Sequence, residues 1–192
     1  MQSIIKTFLI LTIFSCNPNP PQETRKDKES QPYSSQESDV VTSRNLDNDI
    51  KFNKYCNSRF GYCVDYPGEL IYPQPESENG DGKIFKNRKG EEILRVYGTN
   101  NSDPEFGNIS LEQQYNNDLH ETDEENGNND QVITYQKLGK TFFVISGLKK
   151  GKIFYQKTIL KDDSFAYAIL QYDDGEKATF DKVSKRIFTS FK

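Results

Sequence analysis

The chain has 192 residues, 29 acidic against 25 basic, and a net charge of −4, so it carries no basic footprint for a nucleic acid. Beyond its first residues, no apolar run approaches the roughly 20 residues that cross a bilayer as a helix. Residues 17–51 hold a single aromatic side chain, Tyr33, whereas 52–192 are rich in Phe, Tyr, Ile, Val and Leu. That second part, about 140 residues, suits one hydrophobic core rather than two domains.

At the N-terminus, Phe8 to Ser15 is an apolar segment preceded by Lys6. Its length is that of a signal-peptide core and too short for a membrane span. The run stops at Ser15-Cys16, and Ile13-Phe14-Ser15-Cys16 resembles the lipobox of bacterial lipoproteins at its last two positions. Ile13 stands where that family usually has Leu, and Phe14 is bulkier than its usual residue. The resemblance implies that residues 1–15 are removed as a signal peptide. Cys16 then becomes the N-terminus and carries a diacylglyceryl group with a further acyl chain such as palmitate. Two or three chains anchor stably where one binds marginally. The expected location is the bacterial cell envelope, at the outer rather than the inner membrane. An ordinary secretory signal with an incidental cysteine, or an uncleaved anchor, are the alternatives.

The segment NPNPPQETRKDKESQPYSSQESDVVTSRNLDND follows. Pro, Asn, Ser, Gln and mixed charge dominate it, and it cannot bury enough apolar surface to offset the entropy of ordering. Residues 16–51 therefore read as a lipidated cysteine and a disordered tether, with a single domain over 52–192.

With Cys16 lipidated, Cys56 and Cys63 remain as a pair. They flank NSRFGY, whose Asn, Ser and Gly suit a turn, between strand-like KYC and CVDY. A cross-strand disulfide closing a hairpin fits an exported protein. A redox pair would place its cysteines two apart at a helix start, and a zinc site needs more ligands than one histidine adds.

FGYCVDYP and EEILRVYGT read as strands, with KIFKN pairing to the latter across Arg88-Lys89-Gly90. SLEQQYNNDLHE reads as a helix: Ser110 with Gln113 three residues on is a capping box, and Leu111, Tyr115 and Leu119 share one face. From Val132 the chain reads as a meander. QVITYQKL, TFFVISGL, KIFYQKTIL and SFAYAILQY are β-branched and aromatic runs. Short turns at Gly139-Lys140, Lys149-Lys150-Gly151 and Lys161-Asp162-Asp163 join them. About Lys177–Thr189 a closing helix aligns Phe180, Val183, Ile187 and Phe191. The expected architecture is α+β, an antiparallel meander covered on one face by helices.

RFGYCVDYP near the domain start, a later helix, a run of hairpins and a closing amphipathic helix resemble small bacterial PsbP/Mog1-like domains. The resemblance covers roughly residues 54–192 and implies a fold used as a binding scaffold more than for catalysis. No functional residue is carried over from it, and the Cys56–Cys63 pair lies outside its pattern.

Strings that look catalytic fail in context. Gly139-Lys140-Thr141 lacks the first Gly of a phosphate loop and has no helix after it. Ser146-Gly147-Leu148-Lys149 matches S-x-x-K, but it ends a strand rather than opening a helix. His120 lies among carboxylates with no partner nucleophile in the sequence. In HETDEENGNNDQ, residues 120–131, Asp123, Glu125 and Asp130 suggest a cation, yet aligning Gly127 to an EF-hand puts Thr122 and Ile133 where acids are required. SENGDG, 77–82, is a turn-rich loop. Tyr66, Tyr72 and Tyr97, with Pro67, Pro73 and Pro75, either rim a pocket or cover the sheet.

No catalytic residue, metal or cofactor is assigned. The functional expectation is a membrane-anchored, non-enzymatic binding or scaffolding module. Its partner is a protein or a small ligand, met on the outside, as host components, or inside the envelope. The alternative is a periplasmic hydrolase whose carboxylates meet only in the fold.

Overall fold

A computed structural model describes residues 50–102, 107–120 and 131–192. Cys16, the expected signal peptide, most of the expected tether and the acidic run 121–130 lie outside the described residues.

Among the described residues two sheets form. The first is a hairpin of β1 (Phe52–Asn57) and β2 (Tyr62–Pro67). Cys56 and Cys63 are directly opposite in its register and joined by a disulfide. The second sheet has seven strands: β3 (Tyr72–Glu76), β4 (Gly82–Lys86), β5 (Glu92–Asn100), β6 (Gln131–Leu138), β7 (Phe142–Lys149), β8 (Lys152–Lys161) and β9 (Ser164–Tyr172). Their spatial order is β3-β4-β5-β9-β8-β7-β6, every neighbouring pair antiparallel. The meander is as expected. The pairing of β5 with β9 is the non-local step that welds the N-terminal strands to it.

Local chemistry explains the hairpins. Lys150 and Gly151 between β7 and β8 both have positive φ, 51° and 76°, the backbone that matches the twist of two joined strands. Glycine supplies that conformation at no cost, whereas Lys150 must be held in it. In β5 the register slips by one residue, Phe85 facing Leu94 and Lys86 facing Glu92. The resulting bulge buries both Ile93 and Leu94.

Two helices complete the fold, α1 (Leu111–Leu119) and α2 (Lys177–Ser190), the latter entered through a 3-10 turn at Asp174–Glu176. The capping box of α1 is formed: the Ser110 hydroxyl accepts from the Gln113 N–H, and the Gln113 side chain accepts from the Ser110 N–H.

The helices do not share a face, which corrects the one-sided arrangement expected from the sequence. Side chains alternate along a strand, and on β9 the alternation separates two cores. Ala166, Ala168, Leu170 and Tyr172 join the core containing Phe180, Val183 and Ile187 of α2 and Tyr62, Val64 and Tyr66 of the hairpin. Phe165 and Tyr167 join the other, with Leu111 of α1 and Phe143, Ile145 and Phe154. A strand apolar on both sides needs cover on both. The hairpin and α2 give it on one side and α1 gives it on the other.

Candidate functional site

On the α1 face the cover is incomplete. α1 reaches β6 and β7, with Tyr115 edge-on to Phe143 at 5.4 Å between ring centroids. Beyond it, β5, β8 and β9 floor an open groove of about 570 Å³, within the usual range for ligand sites. Strand alternation puts Tyr97 and Tyr167 side by side there, rings stacked 4.7 Å apart at 9°.

The two ends of the groove differ. At the helix end, the Asp118 carboxylate accepts from Nε2 of Gln114 and from Nε2 of Gln156, each at 2.6 Å. Gln156 is buried and also donates to Thr158 Oγ1, so this polar hub is fixed before any ligand arrives. At the other end Arg95 forks onto Glu92, at 2.7 and 2.9 Å. The β7–β8 turn brings Lys149, Lys150 and Lys152 to the same rim.

Its electrostatics suit recognition. Burial, and then the Asp118 charge, push the Tyr167 phenol well above its ordinary pKa. The hydrogen bond to Glu92 raises the Arg95 guanidinium. At neutral pH neither gives up a proton, so both act as fixed hydrogen-bonding groups.

The residues singled out from the sequence scatter. Ser146 is buried in β7, and Gly139 closes a turn, its N–H donating to Phe142 O. His120 is exposed at the end of α1, its Nδ1 2.8 Å from Asn116 O. Of the three tyrosines, Tyr66 is buried against Phe85, with ring centroids 4.6 Å apart. Tyr72 lies on edge strand β3, and Tyr97 alone lines the groove.

A carboxylate group not visible in the sequence does assemble. Glu91, Asp173 and Glu176 bring one oxygen each within 4.8 Å of one another, close enough among the described residues to share a cation. Asn87 Nδ2 donates to Glu91 at 2.7 Å and to Glu176 at 3.3 Å. Lys152 pairs with Asp173 at 3.6 Å. Among the described residues, two carboxylates outside this cluster are displaced in pKa, both downward. Burial would raise Glu76, but hydrogen bonds from Tyr55 and Lys83 outweigh it. At Asp181 the same contest is won by Lys177 and Tyr172. A general acid needs the opposite shift.

No family model matches the sequence, and no curated protein matches it. A solved structure does. The solution structure of cyanobacterial PsbP (CyanoP) from Synechocystis sp. PCC 6803 superposes with a TM-score of 0.51 over 79% of this chain and 98% of that one, at 11% identity. The domain is PsbP-like in fold. At that identity the likeness concerns the fold alone.

Proposed function

We propose that this protein is an envelope lipoprotein, anchored through lipid on Cys16, whose PsbP-like domain is a non-enzymatic binding module working through the groove on the α1 face. The observation that carries the reading is the half-covered sheet face. A preset amide–carboxylate hub and a cationic rim flank a stacked tyrosine pair there, an arrangement built to hold a partner. Anchor and location rest on Ile13-Phe14-Ser15-Cys16 and on the polar tether after it.

The test has two parts. Metabolic labelling with a fatty acid should mark the wild type and not Cys16→Ala, and the variant should leave the membrane fraction. Protease shaving of intact and permeabilised cells then assigns the face. Loss of the domain from intact cells places its partners outside, and survival until permeabilisation places them within the envelope. An unlabelled wild type released to the medium would refute the anchor. For the groove, crosslinking from Lys150 should trap a partner that Tyr97→Ala and Arg95→Ala both lose.

The second reading, a carboxylate hydrolase, is favoured by Glu91, Asp173 and Glu176 alone. Hydrolysis abolished by Glu176→Gln in a stably folded protein would establish it in place of the first.

A further inference from the structure

The α2 face holds a second cavity, independent of the groove. It is open on one side and encloses about 670 Å³ between the hairpin, β7, β8 and the end of α2, again within the range of small-molecule sites. Four lysines line it: Lys54 from β1, Lys157 and Lys161 from β8, and Lys192 just after α2. Phe142 and Ile159 give it an apolar wall.

None of these lysines has a carboxylate within ion-pair distance among the described residues. Lys157 is half-buried, and its ammonium donates to two neutral carbonyls, Phe188 O and Phe191 O, at 2.8 Å each. The Phe142 ring lies 5.5 Å from it. Lys161 donates to Gly61 O at 2.8 Å. The acid in the wall, Asp65, already faces Arg186 of α2 at 3.4 Å.

One part of this arrangement is structural. The carbonyls that Lys157 meets are the last of α2, and a cation is favoured at a helix C-terminus. That accounts for Lys157 and not for the others. The compensation is also incomplete, because burial pulls the Lys157 ammonium below its ordinary pKa. A charge taken from water without an opposite charge is costly, and an incoming anion would supply it. An anion alone would leave the wall of Phe142 and Ile159 unused.

We propose that this cavity binds an anionic amphiphile, a carboxylate or phosphate headgroup on an apolar chain, with the headgroup among Lys54, Lys157 and Lys161 and the chain against Phe142 and Ile159. A free acid and a bilayer lipid share that chemistry, and the experiment separates them.

The full chain carrying Cys16→Ala, so that no acyl chain of its own competes, is titrated calorimetrically with decanoate, decyl phosphate and decanol. Binding to phosphatidylglycerol vesicles is measured alongside. Saturable binding of the two anions and none of decanol is expected. Lys157→Met and Lys54→Glu should each weaken it by about tenfold or more. Lys54 is exposed on β1, away from α2's last turn, so its variant reports the charge even if Lys157→Met loosens α2. Vesicle binding with the same lysine dependence, without binding of free decanoate, assigns the ligand to the bilayer and supports the site. Equal binding of decanol, no binding of any anion, or anion binding indifferent to Lys54→Glu would overturn it.

Discussion

The ring of Phe60 occupies the space that a side chain on Gly98 would need: a Cβ there would lie 2.2 Å from Cγ of Phe60. Phe60 comes from the turn of the disulfide hairpin and Gly98 from β5, so the missing side chain is what lets the hairpin seat on the sheet. Gly98 has an ordinary backbone, so alanine there is opposed by packing alone. Gly98→Ala is expected to destabilise by about 1–3 kcal/mol, the usual cost of overpacking. A urea titration measures it. Phe60→Ala in the same chain should recover part of the loss, a coupling that a double-mutant cycle resolves.

Much of this fold is legible in the sequence, for identifiable reasons. QVITYQKL and SFAYAILQY coincide with β6 and β9, because each is a β-branched and aromatic run of strand length. β3 is not legible. Pro73 and Pro75 argue against a strand, and the structure reconciles them by putting β3 at the sheet edge, where a missing N–H breaks no ladder. The placement of α1 is also not read from the sequence, although a signal is present. Every position from Phe165 to Leu170 is apolar, the mark of a strand buried on both faces. The groove was beyond reach, since its walls come from β5, α1, β8 and β9 and meet only through the β5–β9 pairing. Of its residues only Tyr97 reads from the sequence as a possible pocket lining.

The position of α1 depends on Asn101. This side chain is buried, donates from Nδ2 to Ile109 O and accepts at Oδ1 from Ile109 N, both at 2.9 Å. It thereby fixes the chain just before the Ser110 cap. Asn101→Ala leaves both backbone groups of Ile109 without that partner, at a cost of about 1–3 kcal/mol for buried polar groups left unmade. Asn101→Asp retains the acceptor and should fall between. Hydrogen exchange in α1 should accelerate in both variants while β8 and β9 stay protected. Uniform loss of protection would mean that Asn101 supports the whole domain.

The disulfide does more than close a short loop. The Cys63 N–H donates to Lys192 O at 2.9 Å and Lys192 N–H donates back at 3.3 Å, so the hairpin also holds the chain after α2. The loop-closure model assigns about 2–3 kcal/mol to a loop of this length. Cys56→Ser with Cys63→Ser is expected to lower stability by that amount or somewhat more, read from denaturation midpoints with and without reductant. Reductant should shift the wild type and leave the double variant unchanged. Identical curves for oxidised and reduced wild type would show the bond to be energetically idle.

Acid sensitivity follows from Glu76 and Asp181. Both carboxylates are held below their ordinary values of 4.5 and 3.8, so the folded state binds protons less readily than the unfolded one. Their contribution is complete above those values and disappears as pH falls through the lowered folded values. Both side chains are more than a third exposed, so screening by solvent and salt keeps the effect small. Glu76→Gln with Asp181→Asn should therefore lower stability slightly near neutrality and flatten the acid limb of the stability–pH curve by the same small amount. Added salt should flatten the wild-type limb in the same direction. Tyr62 gives the opposite limb. Its phenol is buried, and burial first, with the neighbouring Tyr55 second, holds it far above its ordinary value of 10.0. Its contribution is present below 10.0 and is lost only as pH rises toward the folded value, so Tyr62→Phe should soften alkaline unfolding and leave the acid limb untouched. An acid limb unchanged by the carboxylate pair would show that neither Tyr55 and Lys83 nor Lys177 and Tyr172 stabilise the charged forms in solution.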